Sequence, residues 1–490
     1  MNSSARHPHT SWCKLLGWKN HSIHVLMILT IISGVFTHVM RSQSTNGEIN
    51  GTIQDATQAA VPGAAVTATN VATNVTYKAT SNAIGYYTIP FIPPGEYAMQ
   101  VVMQGFNTLK RLGVTVQVNE TVHLDLVLTT GSVSQTVTVT TAPPVIDTQS
   151  SSVATEIGNQ DVTGLPLNGR NVYNLEILVP GAEVDNVGLV RFNGVRARST
   201  EILVDGLSQV PPETRAAPVS PPPIDAIDEF NLASSGYTAE FGSAAAGLVN
   251  VATKAGTNSL HGTGWEFLRN DVLNTKNYFT PVGTNKPILR QNQFGGAAGG
   301  PIYLPHLYRG LNKTFFFVDY EGERVRSQQV FDVTVPTAAE RTGDFSAFLG
   351  AQIGTDAYGN PVYTGQIYDP LSTTTVSGVK VRTPFPGNII PSTKFSQQAL
   401  ALQKYYPSPT STALSNNLVN ATSTGNNTNR YDVRIDENIS SKNRLFGRWS
   451  NFTSPTLPAV PFLGAATDFT SNTLHQRSLS ISFINTLSSN

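Results

Sequence analysis

The sequence is poor in charge and almost devoid of cysteine. Of 490 residues, 32 are Lys or Arg and 32 are Asp or Glu, so charged residues make up 13% and the formal net charge is zero. Ordinary soluble domains carry roughly 25%. So neutral a chain lacks the basic face that neutralises phosphates, which argues against a nucleic-acid binder. It also lacks the charge excess that keeps a chain unfolded. The one cysteine, Cys13, lies near the start. With an N-terminal leader removed, no thiol remains, which excludes a disulfide framework, thiol catalysis and Cys-ligated zinc. No HExxH, GxSxG, paired-carboxylate or nucleophile–base pattern stands out, so no enzyme, cofactor or metal site is expected. Gly295-Gly296 and Gly299-Gly300 lack the strand–GxxxxGK[ST]–helix setting of a phosphate loop.

Long hydrophobic runs are also missing. Arg6, Lys14 and Lys19 precede an apolar stretch from Ile23 to Phe36. At about 14 residues it is too short to span a bilayer as a helix, which needs about 20. A positive segment before a short apolar one reads as a signal peptide over 1–43, with an uncleaved anchor as the alternative. Cys13 precedes the apolar run, so it is not a lipoprotein cysteine. No later window reaches the length of a spanning helix. The remainder is therefore expected to be soluble or a membrane β-structure, because only helices and closed barrels satisfy the backbone in lipid.

Ser, Thr, Asn and aromatic residues are plentiful, and the patterns they form are those of strands. Val114, Val116 and Val118 alternate with Thr115, Gln117 and Asn119, and Val122, Leu124, Leu126 and Leu128 repeat the period. Period 2 marks half-buried strands. Asn82–Gly85 and Pro93-Pro94-Gly95 are turn signals. Residues 44–130 are expected to form an immunoglobulin-like β-sandwich. Gly51-Thr-Ile-Gln-Asp55, Val61-Pro-Gly-Ala-Ala-Val66, Gly85-Tyr-Tyr-Thr-Ile-Pro90, Pro94-Gly-Glu-Tyr97 and Gly105-Phe106 resemble the carboxypeptidase regulatory-like domain. That module carries no peptidase site, and His123, in an alternating strand, is expected to be structural. Residues 131–146 read as an extended linker.

Beyond it come Leu165-Pro-Leu-Asn-Gly-Arg-Asn171, Leu178-Val-Pro-Gly181, Phe192-Asn-Gly-Val-Arg-Ala-Arg198, Ile202-Leu-Val-Asp-Gly206, Ile224-Asp-Ala-Ile-Asp-Glu-Phe230, Tyr237-Thr-Ala-Glu-Phe-Gly242 and Gly247-Leu-Val-Asn-Val-Ala-Thr-Lys254. Their order is similar to the plug of TonB-dependent receptors, and more closely to the Oar-like branch, in which a regulatory-like sandwich precedes the plug. Ala246-Gly247 replaces the usual glycine pair, and Phe241-Gly242 the usual Tyr-Gly. The resemblance implies a small α+β plug over 147–255. Arg170, Arg191, Arg196 and Arg198 are the candidate ligand-facing residues. They would either bind an anionic ligand or pair with acidic residues of the lumen.

From residue 256 onward, apolar and polar residues alternate again. Phe316, Val318 and Tyr320 stand against Phe315, Phe317 and Asp319; Tyr431, Val433 and Ile435 against Asp432, Arg434 and Asp436; Leu479, Ile481 and Phe483 against Ser478, Ser480 and Ser482. Apolar-out, polar-in strands suit an outer-membrane wall, although a soluble sandwich alternates in the same way. Thr257–Gly262, Glu266–Asn270, Gly299–Ile302, Phe315–Gly322, Arg341–Ser346, Pro386–Pro391 and Tyr405–Pro409 continue the Oar-like resemblance. Residues 325–428 are expected to be long external loops. The expected fold is thus mainly β: a sandwich, a plug and the N-terminal part of an antiparallel barrel over 256–490.

About 230 residues supply roughly six to ten strands, against 22 in plugged transporters. The chain is therefore expected to be part of a receptor about twice as long, and not to close a barrel alone. The resemblance implies an outer-membrane receptor that binds an extracellular solute, sits among outer-membrane lipid and draws energy from a TonB-type inner-membrane complex. Thr136-Val137-Thr138-Val139-Thr140 is the candidate TonB-box, since an extended Val/Thr segment suits strand addition to a partner's sheet. The same residues read equally as the last strand of the sandwich or as linker. The alternative function is surface adhesion without transport.

Overall fold

The computed structural model describes residues 45–139, 151–185, 189–196, 198–213, 215, 220–238, 241–279, 285–460 and 472–486. The expected leader, Thr140 and the rest of the linker lie outside them.

Nine short strands open the described chain: β1 Gly47–Asp55, β2 Ala65–Asn70, β3 Thr76–Thr80, β4 Tyr86–Ile92, β5 Gly95–Val102, β6 Thr108–Val116, β7 Thr121–His123, β8 Leu126–Leu128 and β9 Thr136–Val139. They form two sheets, β4-β1-β7 with β8 also on β1, and β3-β2-β5-β6-β9. The alternation seen in the sequence decides which side chains meet between them. Val114, Val116, Val122, Leu124, Leu126 and Leu128 join Ile49, Ile53, Tyr97 and Met99 in one core. Each such side chain, fully buried, contributes about 1.5–3 kcal/mol. The two buried tyrosines keep their hydroxyls paired: Tyr87 donates to the Leu124 carbonyl at 2.8 Å and Tyr97 to the Pro93 carbonyl at 2.7 Å. His123 is structural, its Nδ1 lying 2.9 Å from Asn50 Oδ1.

A second unit follows, with β10 Val153–Gly158, α1 Asn159–Gly164, β11 Ala182–Val184, β12 Val190–Phe192, β13 Thr200–Val204, β14 Leu207–Ser208, β15 Ile227–Ser235 and β16 Gly247–Thr253. Its sheet has the order β10-β15-β16-β13-β14, with β13 and β16 parallel. One face carries Ile157, Phe230, Leu232, Val249, Val251 and Ile202, packed under α1 and the 3-10 turns of Val172–Leu178. The other face carries Glu156, Glu229, Asn231 and Asn250, and looks toward the sandwich.

The remaining strands are β17 His261–Asn270, β18 Leu289–Pro301, β19 Tyr303–Leu304, β20 Tyr308–Arg309, β21 Thr314–Val333, β22 Gln352–Thr355, β23 Pro361–Tyr363, β24 Thr374–Val376, β25 Val379–Val381, β26 Leu418–Asn438, β27 Asn443–Leu457 and β28 Asn472–Asn485, with short helices α2 Ala338–Arg341 and α3 Gln397–Gln403. Six of them make one antiparallel sheet, β17-β18-β21-β26-β27-β28, each paired to the next in the sheet. One residue row runs Ala298, Val318, Val433, Trp449, Leu479 across five strands. The neighbouring row runs Ala297, Asp319, Asp432, Ser450, Ser478. The first row is the apolar outer face, the second the polar inner one.

One sequence expectation changes here. Residues 325–428 are not all loop: β21 and β26 stay in unbroken register from Thr314–Glu437 to Val333–Leu418. At about 3.3 Å per residue this ladder is longer than the ~30 Å that a strand needs to cross a hydrocarbon layer. Polar residues predominate there, and Val325, Val330, Phe331 and Val333 interrupt them without a regular period, which blurs the alternation that reveals a strand. Phe267 of β17 points inward, where the Arg170 guanidinium stacks 3.9 Å from its ring.

The insertion from 334 to 417 is ordered by the motifs noted above. Asn388, 2% exposed, donates to the Phe345 and Gly365 carbonyls at 2.8 and 3.1 Å, and accepts from the Ile367 amide at 2.6 Å. The Ile390 amide bonds the Gly343 carbonyl at 2.9 Å, so the Arg341–Ser346 and Pro386–Pro391 segments brace each other.

Candidate functional site

Val204-Asp205-Gly206 closes the β13–β14 hairpin. Asp205 and Gly206 have φ of 49° and 79°, the two positive values a tight two-residue hairpin requires. The turn holds the Asp205 carboxylate in a fixed place. Its Oδ1 accepts from the Thr253 amide at 2.9 Å and its Oδ2 from the Thr253 hydroxyl at 2.7 Å. Arg434 of β26 brings Nη1 to 3.2 Å of Oδ1, while Nε and Nη2 of the same guanidinium form a fork with Asp436 at 2.8 and 2.9 Å. Arg448 of β27 places Nε 3.2 Å from Asp205 Oδ2. One carboxylate of the second unit therefore holds two arginines of the wall sheet. Asp205 and Arg448 are buried, to 1% and 4% exposure, and Arg434 is 14% exposed. Such a group stabilises only when its members stay together, because removing one strands a charge away from water.

The same inner face carries more charge. Arg430 pairs with Glu321, and the Ser450 hydroxyl donates to Asp432. Among the described residues, both carboxylate oxygens of Asp319 are buried without a hydrogen-bond partner. Arg170, from the Leu165–Asn171 motif, pairs with Asp225 of its own unit beneath Phe267.

The other three candidate arginines lie elsewhere. Arg191 reaches Glu183 at 2.9 Å across the β11–β12 hairpin, on the surface. Arg196 is exposed. Arg198, also exposed, has φ of 69°, and its carbonyl accepts from Arg215 Nε at 3.2 Å. The four thus occupy three separate features. The arginines that join unit to wall, Arg434 and Arg448, were visible in the sequence only as polar partners of an alternating pattern.

The candidate TonB-box, Thr136–Val139, is strand β9. It runs parallel to β6, from Thr108–Thr136 to Arg111–Val139, at the edge of its sheet and largely exposed.

The sandwich meets both other parts. The Val118 amide donates to both oxygens of Glu229, at 2.8 and 3.0 Å. Burial pushes the Glu229 carboxyl up to about 8 despite that bond, and Glu156, Asp228 and Glu120 add to the rise. Burial, then the Glu120 charge, raises Glu156 to about 7. On the wall side, Asn258 Nδ2 donates to the Thr73 carbonyl at 2.7 Å, and its amide to the Ala72 carbonyl at 3.0 Å.

Residues 252–490 match the family described as outer membrane beta barrel domain, and residues 48–129 match the carboxypeptidase regulatory-like domain. The TonB-dependent transporter Oar of Myxococcus xanthus is 28% identical over 293 residues, covering 53% of this chain. The chain is similar to the Oar-type TonB-dependent receptors. The matched stretch spans 27% of that relative's length. Among solved structures, a ferric enterobactin receptor mutant of Pseudomonas aeruginosa in complex with enterobactin is similar with a TM-score of 0.38 at 12% identity, covering 69% of this chain and 39% of that one. The siderophore receptor of Acinetobacter baumannii has a TM-score of 0.31 at 15% identity, covering 67% of this chain and 44% of that one. The alternating sheet is accordingly outer-membrane wall, and its place is the outer membrane.

Proposed function

We propose that this chain gates solute entry through an outer-membrane TonB-dependent receptor. In this reading the second unit, within residues 147–255, is the plug. The single observation that carries it is the Asp205 carboxylate held by Arg434 and Arg448 of the wall. Charge contacts suit a part that must be seated and then moved. Water re-solvates the separated charges as the plug shifts, whereas an apolar seam of equal area gains nothing from water. The extracellular end of the β21–β26 ladder, with the braced insertion, captures the solute. Arg196 and Arg198, exposed, remain candidates to contact it; Arg170 and Arg191 hold the plug's own structure.

Energy for import comes from the inner-membrane complex through residues 136–140. As an edge strand, β9 offers an unpaired side to a partner's sheet, the strand-addition mode of peptide capture. Pulling on it would work first against the sandwich, which holds the plug through Val118 and Glu229. Deleting 135–141 tests the assignment. Solute uptake is expected to be lost while binding at the cell surface persists. Undiminished uptake would refute the TonB-box, and surface binding without uptake in the unaltered protein would favour adhesion.

A further inference from the structure

The outward face of the wall changes character along β21. The rings of Phe294, Tyr320 and Tyr431 pack in series, with centroids 6.2 and 5.1 Å apart. Such a girdle of aromatic rings marks a membrane interface. Beyond Gly322, the next outward residues of β21 are Arg324 and Arg326, and Arg290 of β18 stands opposite Arg326. Both β21 guanidiniums lie across onto β26. Arg324 donates to the Thr428 and Glu323 carbonyls at 2.7 and 3.0 Å and to Asn429 Oδ1 at 2.8 Å. Arg326 donates to the Val325 and Asn426 carbonyls at 2.7 and 3.2 Å and to Asn427 Oδ1 at 2.8 Å. Arg324 also lies 5.4 Å from the centre of the Phe294 ring. Every one of these acceptors is neutral. Among the described residues none of the three arginines pairs with a carboxylate. Glu323 belongs to the inward row, where it accepts from Gln291 at 3.1 Å. Glu266, on the outward face, is two strands away from Arg324. Arg290 and Arg326 are exposed and line a cavity of about 490 Å³.

We infer that this cluster binds a lipid of the outer leaflet whose head carries phosphate without a balancing cation. Arg290, Arg324 and Arg326 hold the phosphate, and the apolar row at Val318, Val433 and Trp449 runs along the acyl chains. Position identifies the leaflet. The long connection 334–417 leaves the arginine end of the ladder, while the short turn between Asn438 and Asn443 closes the other. Long connections belong to the outer side of such walls. Arginine on a lipid-facing surface is costly at mid-membrane and tolerated near the interface. The step from aromatic ring to guanidinium therefore sets the cluster at the level of the headgroups. Three positive charges without a carboxylate call for an anion. A guanidinium fork matches phosphate oxygens two at a time. The carbonyl and amide contacts already fix the planes of Arg324 and Arg326, so little ordering remains for the lipid to impose. A zwitterionic head brings its own cation and offers these arginines less. The inference rests on the wall's place in the outer membrane and not on solute import.

The test titrates the full chain, in dodecyl maltoside micelles, with phosphatidic acid brominated on its acyl chains. Bromine quenches tryptophan on contact, and Trp449 faces outward. Half-maximal quenching is expected at roughly a tenfold lower mole fraction than with brominated phosphatidylcholine, as charge-assisted bonds would give. Arg290→Gln with Arg326→Gln is expected to bring the two lipids level. The Arg290 side chain makes no hydrogen bond or ion pair among the described residues, so Arg290→Gln alone removes charge without disturbing the wall. It is expected to lower the preference about threefold, the worth of one ion pair at a solvent edge. Inorganic phosphate at matched ionic strength is expected not to displace the lipid. Equal quenching by both lipids in the unaltered chain would overturn the proposal, as would a preference that either variant leaves unchanged. Full displacement by inorganic phosphate would also overturn it, by assigning a site for a free anion.

Discussion

Asp205 and Arg434 are 229 residues apart in the chain and 3.2 Å apart in space. The contact is possible because a two-residue hairpin fixes the carboxylate and β26 turns every second side chain inward. Arg434 also bonds the Thr253 carbonyl at 2.9 Å, so it reads the end of β16 as well as the tip of β13.

Replacing Asp205 by Asn keeps the shape but leaves two buried guanidiniums short of counter-charge. We expect the second unit to lose about 3 kcal/mol of protection against local opening. Hydrogen exchange at β13 and β16 would measure it. Combining Asp205→Asn with Arg434→Gln is expected to cost less than the two single changes summed, because each has already removed the other's partner.

Burial raises the Glu229 carboxyl to about 8, against an ordinary 4.5. A carboxyl that binds its proton more tightly in the docked state stabilises docking below pH 4.5. That contribution is lost as pH rises through 8. The sandwich is therefore expected to separate from the second unit more readily at pH 9 than at pH 5. Protease cutting between residues 131 and 150 at the two pH values checks this, and Glu229→Gln is expected to flatten the difference.

Asn388→Ala removes three hydrogen bonds to backbone groups inside the insertion and puts alanine at a φ of 63°, a left-handed backbone that asparagine adopts more readily. Each backbone group left unpaired costs about 1–3 kcal/mol. We expect residues 334–417 to become sensitive to added protease on intact cells, while the sheet from β17 to β28 keeps its resistance.

Much of this architecture is legible in the sequence because it rests on local period. Val114, Val116, Val122, Leu124, Leu126 and Leu128 alternate, and all are buried. Leu479, Ile481 and Phe483 alternate with serines, and all are more than half exposed on the outer face. The Asp205-Gly206 hairpin shows in two residues. What depends on long-range contact does not show. Nothing near Asp205 in sequence names Arg434, and nothing near Phe267 announces Arg170 above its ring. Four arginines close together in one motif-rich stretch suggested a shared site, yet Arg170 and Arg191 are claimed by acids of their own unit. The upper half of the β21–β26 ladder reads as loop because its few apolar residues, such as Val330 and Phe331, fall at no regular period.

The most direct test of the wall is single-cysteine labelling along β26 and β28 in isolated outer membranes, with Cys13 replaced by Ser. A membrane-soluble thiol reagent should label positions 431, 433, 435, 479, 481 and 483. Positions 432, 434, 478, 480 and 482 should resist it and, once Asp205 is mutated to loosen the second unit, react with a water-soluble reagent. Uniform labelling by the water-soluble reagent along both strands would contradict a lipid-facing wall closed over an inner charged face.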